Sequence, residues 1–482
     1  MSPAGASGSK AMKRPNILIL YTDQQRWDAL GANGNKEIIT PNLDRLAAEG
    51  VSFTRHFVQS PVCMPSRISM LSGRYPSSLG ITRMGVPVPE DVATLPKILR
   101  QYGYRTANIG KLHFLPHANR DHRLPHPAYG FDHLEIADEP GVYEDAYRAW
   151  ARRRAPEQMD EISAGIPPAA GVWQRVMGID DGVAHRGDPE GRRDFDRAIP
   201  FAADDGLTHS AFVGERTMAC VEQAGDAPFL CIAGFYSPHA PWMTPQKYLD
   251  LYEAEKLSLP DFPADIDAPR PQDLEAPFSD AQLRRARLGY YAMISEVDFY
   301  VGEILDRLAA CGKRDDTIVV FTSDHGEWLG EHLRYGKGYP ADDAVSRVPL
   351  IISAPDAQRD KTYPGVVEAV DIVPTLLELA AIQNPPFLQG ESLAGIIEGR
   401  GARRKSVALT EGHGWKRLRT DHFSYLVHAD GRECLWDISV DPGEYFDVAA
   451  SGAYSAALAE CRKALLQRLL EIERPLPRAW PY

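Results

Sequence analysis

The stretch RPNILILYTD, residues 14–23, is where the sequence first shows a folded pattern. Its apolar run, NILIL, is short and is closed at once by Tyr21, Thr22 and Asp23. A short apolar run bounded by polar residues reads as a buried strand that ends in a polar loop. The run is shorter than a signal-peptide core, and no window approaches the ~18 consecutive apolar residues of a membrane span. The chain is therefore expected to be cytoplasmic, with no membrane contact, and residues 1–14, small and polar, to form a disordered tail.

Outward from this strand the pattern repeats with helices between. TPNLDRLAAEG (40–50) has Thr40 as cap, Pro41 at the first helical position and Gly50 as stop. VSFTRHFV (51–58) alternates like a strand. PVCMPSRISMLSGRYP (61–76) places Cys63 ahead of a helix that Pro65 begins and Gly73 ends. TLPKILRQYGY (94–104) is a further capped helix, followed by the strand RTANIG (105–110) and the polar KLHF. PFLCIAGFYSPHAPW (228–242) is a buried strand running into a Pro-His loop. Residues 285–312 carry apolar side chains at three- and four-residue steps, the longest helical pattern of the chain. DTIVVFTSDHGEWLG (316–330) and VPLIISAP (348–355) are two more strands.

Strands alternating with helices predict an α/β fold, a large mixed, mostly parallel sheet sandwiched by helices. Residues from about 116 to 215 read as a long irregular insertion. Beyond about residue 385 the pattern changes to short antiparallel strands closed by a helix near 453–473, which predicts a smaller C-terminal subdomain. The expected division is a catalytic part over 15–385 and a C-terminal α+β subdomain over 386–482. A chain of 482 residues is long enough for one large core and a smaller one.

The formal net charge of −13 argues against nucleic acid as a partner, while leaving room for a small anionic substrate in one focused pocket. Six cysteines are thin for a disulfide framework, and none forms a C-x-x-C pair.

Polar groups recur where the apolar strands end. Asp23 and Gln24 follow the first strand, Lys111 and His113 follow RTANIG, His239 follows FLCIAGFYS, and Asp324 and His325 follow TIVVFTS. In open α/β sheets the ligand crevice lies outside the carboxyl ends of the strands, so these residues can meet. Asp23, Asp324, His325 and Gln24 offer hard oxygen and borderline nitrogen donors, suited to Ca²⁺, Mg²⁺ or Mn²⁺. Each Asp reads equally as a loop or helix cap. Lys111, His113, His239 and Lys337 can clamp an anion and move protons, or can be ordinary surface residues. Cys63, with Arg67 one turn on, reads either as a nucleophile at a helix N-terminus or as a small buried side chain.

The motifs resemble one family. CMPSR (63–67) fits the C-x-P-S-R signature of the type I sulfatases of the alkaline phosphatase superfamily, and SGRYP (72–76) fits its continuation. PNILILYTDQQRWDALG, TPNLDRLAAEGVSF, GKLHF, SPHAPW, FTSDHGEWLGEH, GKG, RVPLII and LWDISVDPGEYFDVA are similar to sulfatase blocks, in family order.

The resemblance implies that Cys63 is oxidised to formylglycine by a formylglycine-generating enzyme. A hydrated aldehyde offers two hydroxyls on one carbon: one attacks sulfur and expels the alcohol, and deprotonation of the other releases sulfate. It further implies Asp23, Asp324 and His325 as metal ligands with Gln24 beside them, and Cys63 at the metal. Arg67 and Lys111 would steady the formylglycine oxygens. His113 would be the base for sulfate elimination, and His239 and Lys337 would hold the sulfate and protonate the leaving oxygen.

Two positions depart from the commoner pattern. Gln24 stands where many sulfatases have a second Asp, and His325 where they have Asn. Both variants resemble phosphonate monoester hydrolases and choline sulfatases. They bring Mn²⁺ into consideration beside Ca²⁺, and phosphonate monoesters and phosphodiesters beside sulfate monoesters. A catalytically dead, sulfatase-like binding protein is the reading from another class. The oligomeric state, monomer or homo-oligomer, stays open, as does the role of RPLPRAWPY at the C-terminus.

Overall fold

The computed structural model describes residues 14–117, 122, 124–163, 198–263, 266, 276–401 and 405–473. The expected tail over 1–14 lies outside them apart from Arg14, as do the centre of the 116–215 segment and the C-terminal RPLPRAWPY.

The run at 16–20 forms β1 (Asn16–Thr22), buried along its whole length. It lies inside an eight-stranded sheet of order β10-β2-β9-β8-β1-β6-β3-β4. The other members are β2 (Val51–Phe57), β3 (Arg105–Gly110), β4 (His133–Ile136), β6 (Phe229–Gly234), β8 (Thr317–Ser323), β9 (Leu350–Ser353) and β10 (Lys361–Glu368). A two-residue ladder, β5 (Ile199–Pro200) with β7 (Met243–Thr244), lies apart from it.

Successive side chains of a strand point to opposite faces, so a continuous apolar run feeds two cores. Ile17, Ile19, Ile232 and Val320 pack into one, and Leu18, Leu20, Ala233 and Phe321 into the other. Helices cover both faces. Those used below are α1 (Pro41–Ala48), α2 (Cys63–Ser72), α3 (His209–Gln223), α4 (Asp280–Ala310) and α5 (Ser455–Ile472).

The sheet is mixed and mostly parallel, as expected, and β9 is the strand that runs antiparallel to both of its neighbours, β8 and β2. Two strands of this sheet were not expected, β4 and β10, and they are its two edges. The 116–215 segment is also less irregular than its composition suggests. It supplies β4, a helix over Ala146–Arg154 and the start of α3.

The C-terminal part holds a four-stranded antiparallel sheet of β11 (Ala408–Gly412), β12 (Trp415–Arg419), β13 (Phe423–His428) and β14 (Glu433–Asp437). The β11–β12 hairpin turns through His413 and Gly414, where Gly414 has φ +76°; a tight hairpin needs such a residue. Leu409, Leu418, Tyr425 and Leu435 pack under α5 through Leu458, Cys461 and Leu465. Among the described residues, no helix is long and apolar enough to cross a membrane.

Candidate active site

The parallel strands β1, β2, β3, β6 and β8 deliver their carboxyl ends to one edge of the sheet. Thr22 pairs with Ser323 in the β1–β8 ladder, so the next residue of each strand, Asp23 and Asp324, emerges side by side. Across β3 and β6, Gly110 faces Gly234, and the Lys111 N–H donates to the Gly234 carbonyl at 2.7 Å. Gly110 sits at φ +88°, and a Cβ there would lie 2.2 Å from the Gly234 oxygen. Only glycine suits both demands, and the close approach is what brings Lys111 inward.

Cys63 is the first residue of α2, preceded by Val62 in extended conformation. The helix therefore starts two residues earlier than Pro65 suggests, with Pro65 within its first turn. Cys63 is 1% exposed. Its Sγ lies 3.2 Å from His325 Nε2, 2.8 Å from Lys337 Nζ, and 3.8 and 3.9 Å from the Asp23 carboxylate oxygens. Ligand-capable atoms of Asp23, Cys63, Asp324 and His325 all lie within 4.8 Å of one another, and all four residues are buried.

Cations surround this cluster. Lys111 Nζ is 2.6 Å from Asp23 Oδ2. Arg67 donates from Nε to Asp324 Oδ2 at 2.7 Å and from Nη1 to the Lys111 carbonyl at 3.1 Å. Aromatic faces back both cations, with Arg67 4.7 Å from the Tyr21 ring and Lys111 4.7 Å from the Tyr236 ring.

Gln24 is held on three sides. At φ +72° its N–H donates to Asp324 Oδ1 at 3.0 Å, and its carbonyl accepts from the Tyr290 hydroxyl at 2.7 Å. Its side-chain Nε2 donates to Glu327 Oε2, while its Oε1 is buried with no hydrogen-bond partner.

His113 is buried at φ +53°, its ring stacked on His117 with centroids 4.3 Å apart, its N–H bound to Asp138 and its Nδ1 without a partner. His239 sits nearer the surface, its Nδ1 3.0 Å from the Tyr236 hydroxyl.

The electrostatics follow from burial and these charges. Burial alone would raise the Asp23 carboxyl, but Lys111, Lys337, His239 and Arg67 outweigh it and hold Asp23 well below the usual carboxylate range. Burial and the Asp23 charge push the Cys63 thiol up to about 11. Burial holds His325 down at about 4, and lowers His113 and His239 well below the ordinary imidazole range, helped by His117 at His113 and by Lys337 at His239.

Glu327, Tyr21, Tyr236 and Asp138 belong to this surrounding without standing out in the sequence. Glu327 does lie in the quoted DHGEWLG block, three residues after Asp324, but nothing in its spacing separates it from a solvated surface acid.

The sheet and the sequence point to one family. The sulfatase family profile matches residues 15–382, and that of the N-sulphoglucosamine sulphohydrolase C-terminal region matches 330–472. The chain belongs to the sulfatase family, among the sulfuric ester hydrolases. It is 29% identical to an arylsulfatase of Clostridium perfringens, over 95% of this chain and 94% of that one. It is 27% identical to a choline-sulfatase of Rhizobium meliloti, over 90% and 82%. Among solved structures, the phosphonate monoester hydrolase of Agrobacterium radiobacter superposes with a TM-score of 0.78 at 25% identity, covering 95% of this chain and 96% of that one.

Proposed function

We propose that this enzyme hydrolyses sulfate monoesters through a formylglycine made from Cys63, beside one divalent metal ion. The observation that carries the reading is the meeting of Asp23, Cys63, Asp324 and His325 within 4.8 Å, ringed by Arg67, Lys111 and Lys337.

The donor set fits a hard divalent cation such as Ca²⁺, Mg²⁺ or Mn²⁺. Asp23, Asp324 and His325 would hold it with Gln24, whose buried Oε1 otherwise lacks a partner. When bound, the ion supplies charge neutralisation and acidifies an oxygen it holds.

In the unconverted chain, the Cys63 Sγ occupies the place of the formylglycine oxygens. Around it, Arg67 and Lys111 balance the two carboxylates and keep positive charge over the oxygens of the converted residue. Lys337, already at hydrogen-bond distance from that position, would bind a sulfate oxygen and, with His239, carry the proton to the departing alcohol. His113, with Nδ1 free and burial favouring its neutral form, would accept the proton whose loss re-forms the aldehyde.

The reading keeps the division into a catalytic part over 15–385 and a C-terminal subdomain over 386–482. A formylglycine-generating enzyme is its maturation partner, and a small anionic ester its substrate.

A second reading is favoured by Gln24 and His325 together with the phosphonate monoester hydrolase likeness: phosphonate monoesters or phosphodiesters cleaved by the same nucleophile. Relative turnover of aryl sulfate, aryl phosphonate and aryl phosphodiester substrates by the converted enzyme separates the two. Higher kcat/KM on sulfate supports the first, and no measurable cleavage of any of them by converted, metal-loaded enzyme contradicts both.

A further inference from the structure

We infer that Glu327 is a positioning residue that fixes the orientation of the Gln24 amide, so that its oxygen, rather than its nitrogen, serves the cation. This rests on the metal-site reading above.

Glu327 is fully buried. Both of its carboxylate oxygens are engaged. Oε2 accepts from Gln24 Nε2, and Oε1 accepts from the backbone N–H groups of Leu329, at 3.1 Å, and Gly336. An ionised carboxylate only accepts hydrogen bonds, so the Gln24 side chain meets the charged form of Glu327 only with its NH₂ group. That leaves the Gln24 oxygen as the free end of the amide, and it is buried without a partner. Backbone contacts remove the other freedoms of Gln24: its N–H is bound to Asp324, itself in the cluster, and its carbonyl to Tyr290. Groups behind a metal ligand that set its orientation typically change metal affinity 10- to 100-fold when altered. The same carboxylate anchors Gly336, the neighbour of Lys337, so it joins the ligand side and the lysine side of the site.

Glu327→Gln is the informative change. The new amide can keep its oxygen toward the Leu329 and Gly336 N–H groups only by turning its NH₂ toward Gln24. Gln24 must then rotate its own oxygen to meet that NH₂, away from the cation. The test is a calorimetric titration of the full chain, stripped with chelator, with Mn²⁺. It compares wild type, E327Q, Gln24→Met and the double variant, with each apo protein's Tm recorded. The expected result is a loss of affinity of about 10- to 100-fold in E327Q, a similar loss in Q24M, and a double variant no weaker than Q24M. Wild-type affinity in E327Q, or losses that multiply in the double variant, would overturn the role given to Glu327. If E327Q does not fold, the same cycle with Glu327→Asp, too short to reach Gln24 as well as the Leu329 and Gly336 N–H groups, is read in the same way. A wild-type chain that binds none of Mn²⁺, Ca²⁺ or Mg²⁺ would instead overturn the metal-site reading itself, and this inference with it.

Discussion

Lys337 Nζ lies 2.8 Å from Cys63 Sγ and 3.9 Å from Asp23 Oδ1. A long, half-buried side chain from the loop after β8 thus reaches across to the first residue of α2. It is the cation in closest contact with the atom that the proposed chemistry replaces by oxygen.

Lys337→Ala should therefore lower kcat by about 10²- to 10⁴-fold, the usual range for a lost proton donor. The loss should be larger for alcohols that leave poorly and smaller for nitrophenyl esters, whose departure needs little protonation. A series of aryl sulfates with graded leaving groups measures this. An equal loss across the series would assign Lys337 to substrate binding alone.

Asp324 holds three partners: it accepts from Arg67 Nε at 2.7 Å and from the Gln24 N–H at 3.0 Å, and it joins the metal-capable cluster. Asp324→Ala should abolish metal binding and leave the buried Arg67 guanidinium without its nearest counter-charge. Breaking a buried pair from one side costs about 3–5 kcal/mol. Urea unfolding of the apo protein should show that loss, separately from the loss of activity. Stripping the wild-type enzyme with a chelator should remove activity reversibly, with one of Ca²⁺, Mg²⁺ or Mn²⁺ restoring it.

Gly110→Ala should disturb the site through the backbone. The added Cβ meets both φ +88° and the Gly234 oxygen at 2.2 Å. The strain exceeds the ~1 kcal/mol of a tolerated glycine change. It acts on the turn that places Lys111, so Tm and kcat should fall together.

Acid should loosen the seam between the two parts of the chain. Glu368, at the end of β10, accepts from the Tyr75 hydroxyl at 2.6 Å, from Arg468 on α5 at 2.7 Å and from Lys405 at 2.8 Å. Burial opposes its charge, but Lys405 and Arg468 outweigh it and bring the carboxyl down to about 2. A folded-state value below the unfolded one, about 4.3, means stability that is full above about pH 4.3 and drains away as pH falls toward 2. Asp371, beside it, is pushed the opposite way by burial, so the substitution isolates Glu368 where titration of the whole cluster would not. Glu368→Gln should flatten the fall of Tm between about pH 4.3 and about pH 2 relative to wild type, and lower Tm at neutral pH. An unchanged slope would contradict this account of the seam.

Of the inner strands, β1, β6, β8 and β9 were legible in the sequence as continuous apolar runs and β2 by its alternation, and the candidate site positions were legible because polar groups follow β1, β3, β6 and β8. The two unforeseen strands of the large sheet lack that signal. β10, KTYPGVVE, begins exposed and carries Pro364 at a break in its register, which an edge strand tolerates and an inner one does not. β4 is a four-residue edge strand with no buried position. A mixed sheet was expected, but which strand runs antiparallel was not legible: an apolar run states burial and not direction. Cys63 was legible as a position but not as a chemistry, and it took the family signature to single it out. Glu327 was not legible at all, since its burial depends on Gln24, Leu329 and Gly336 converging on one carboxylate.

The most direct test of the central claim is the mass of the tryptic peptide that ends at Arg67, from chain produced together with a formylglycine-generating enzyme. The account predicts a peptide carrying an aldehyde in place of the Cys63 thiol, in proportion to sulfatase activity, with both absent from Cys63→Ala. An intact thiol in active protein, despite a working maturation enzyme, would contradict it.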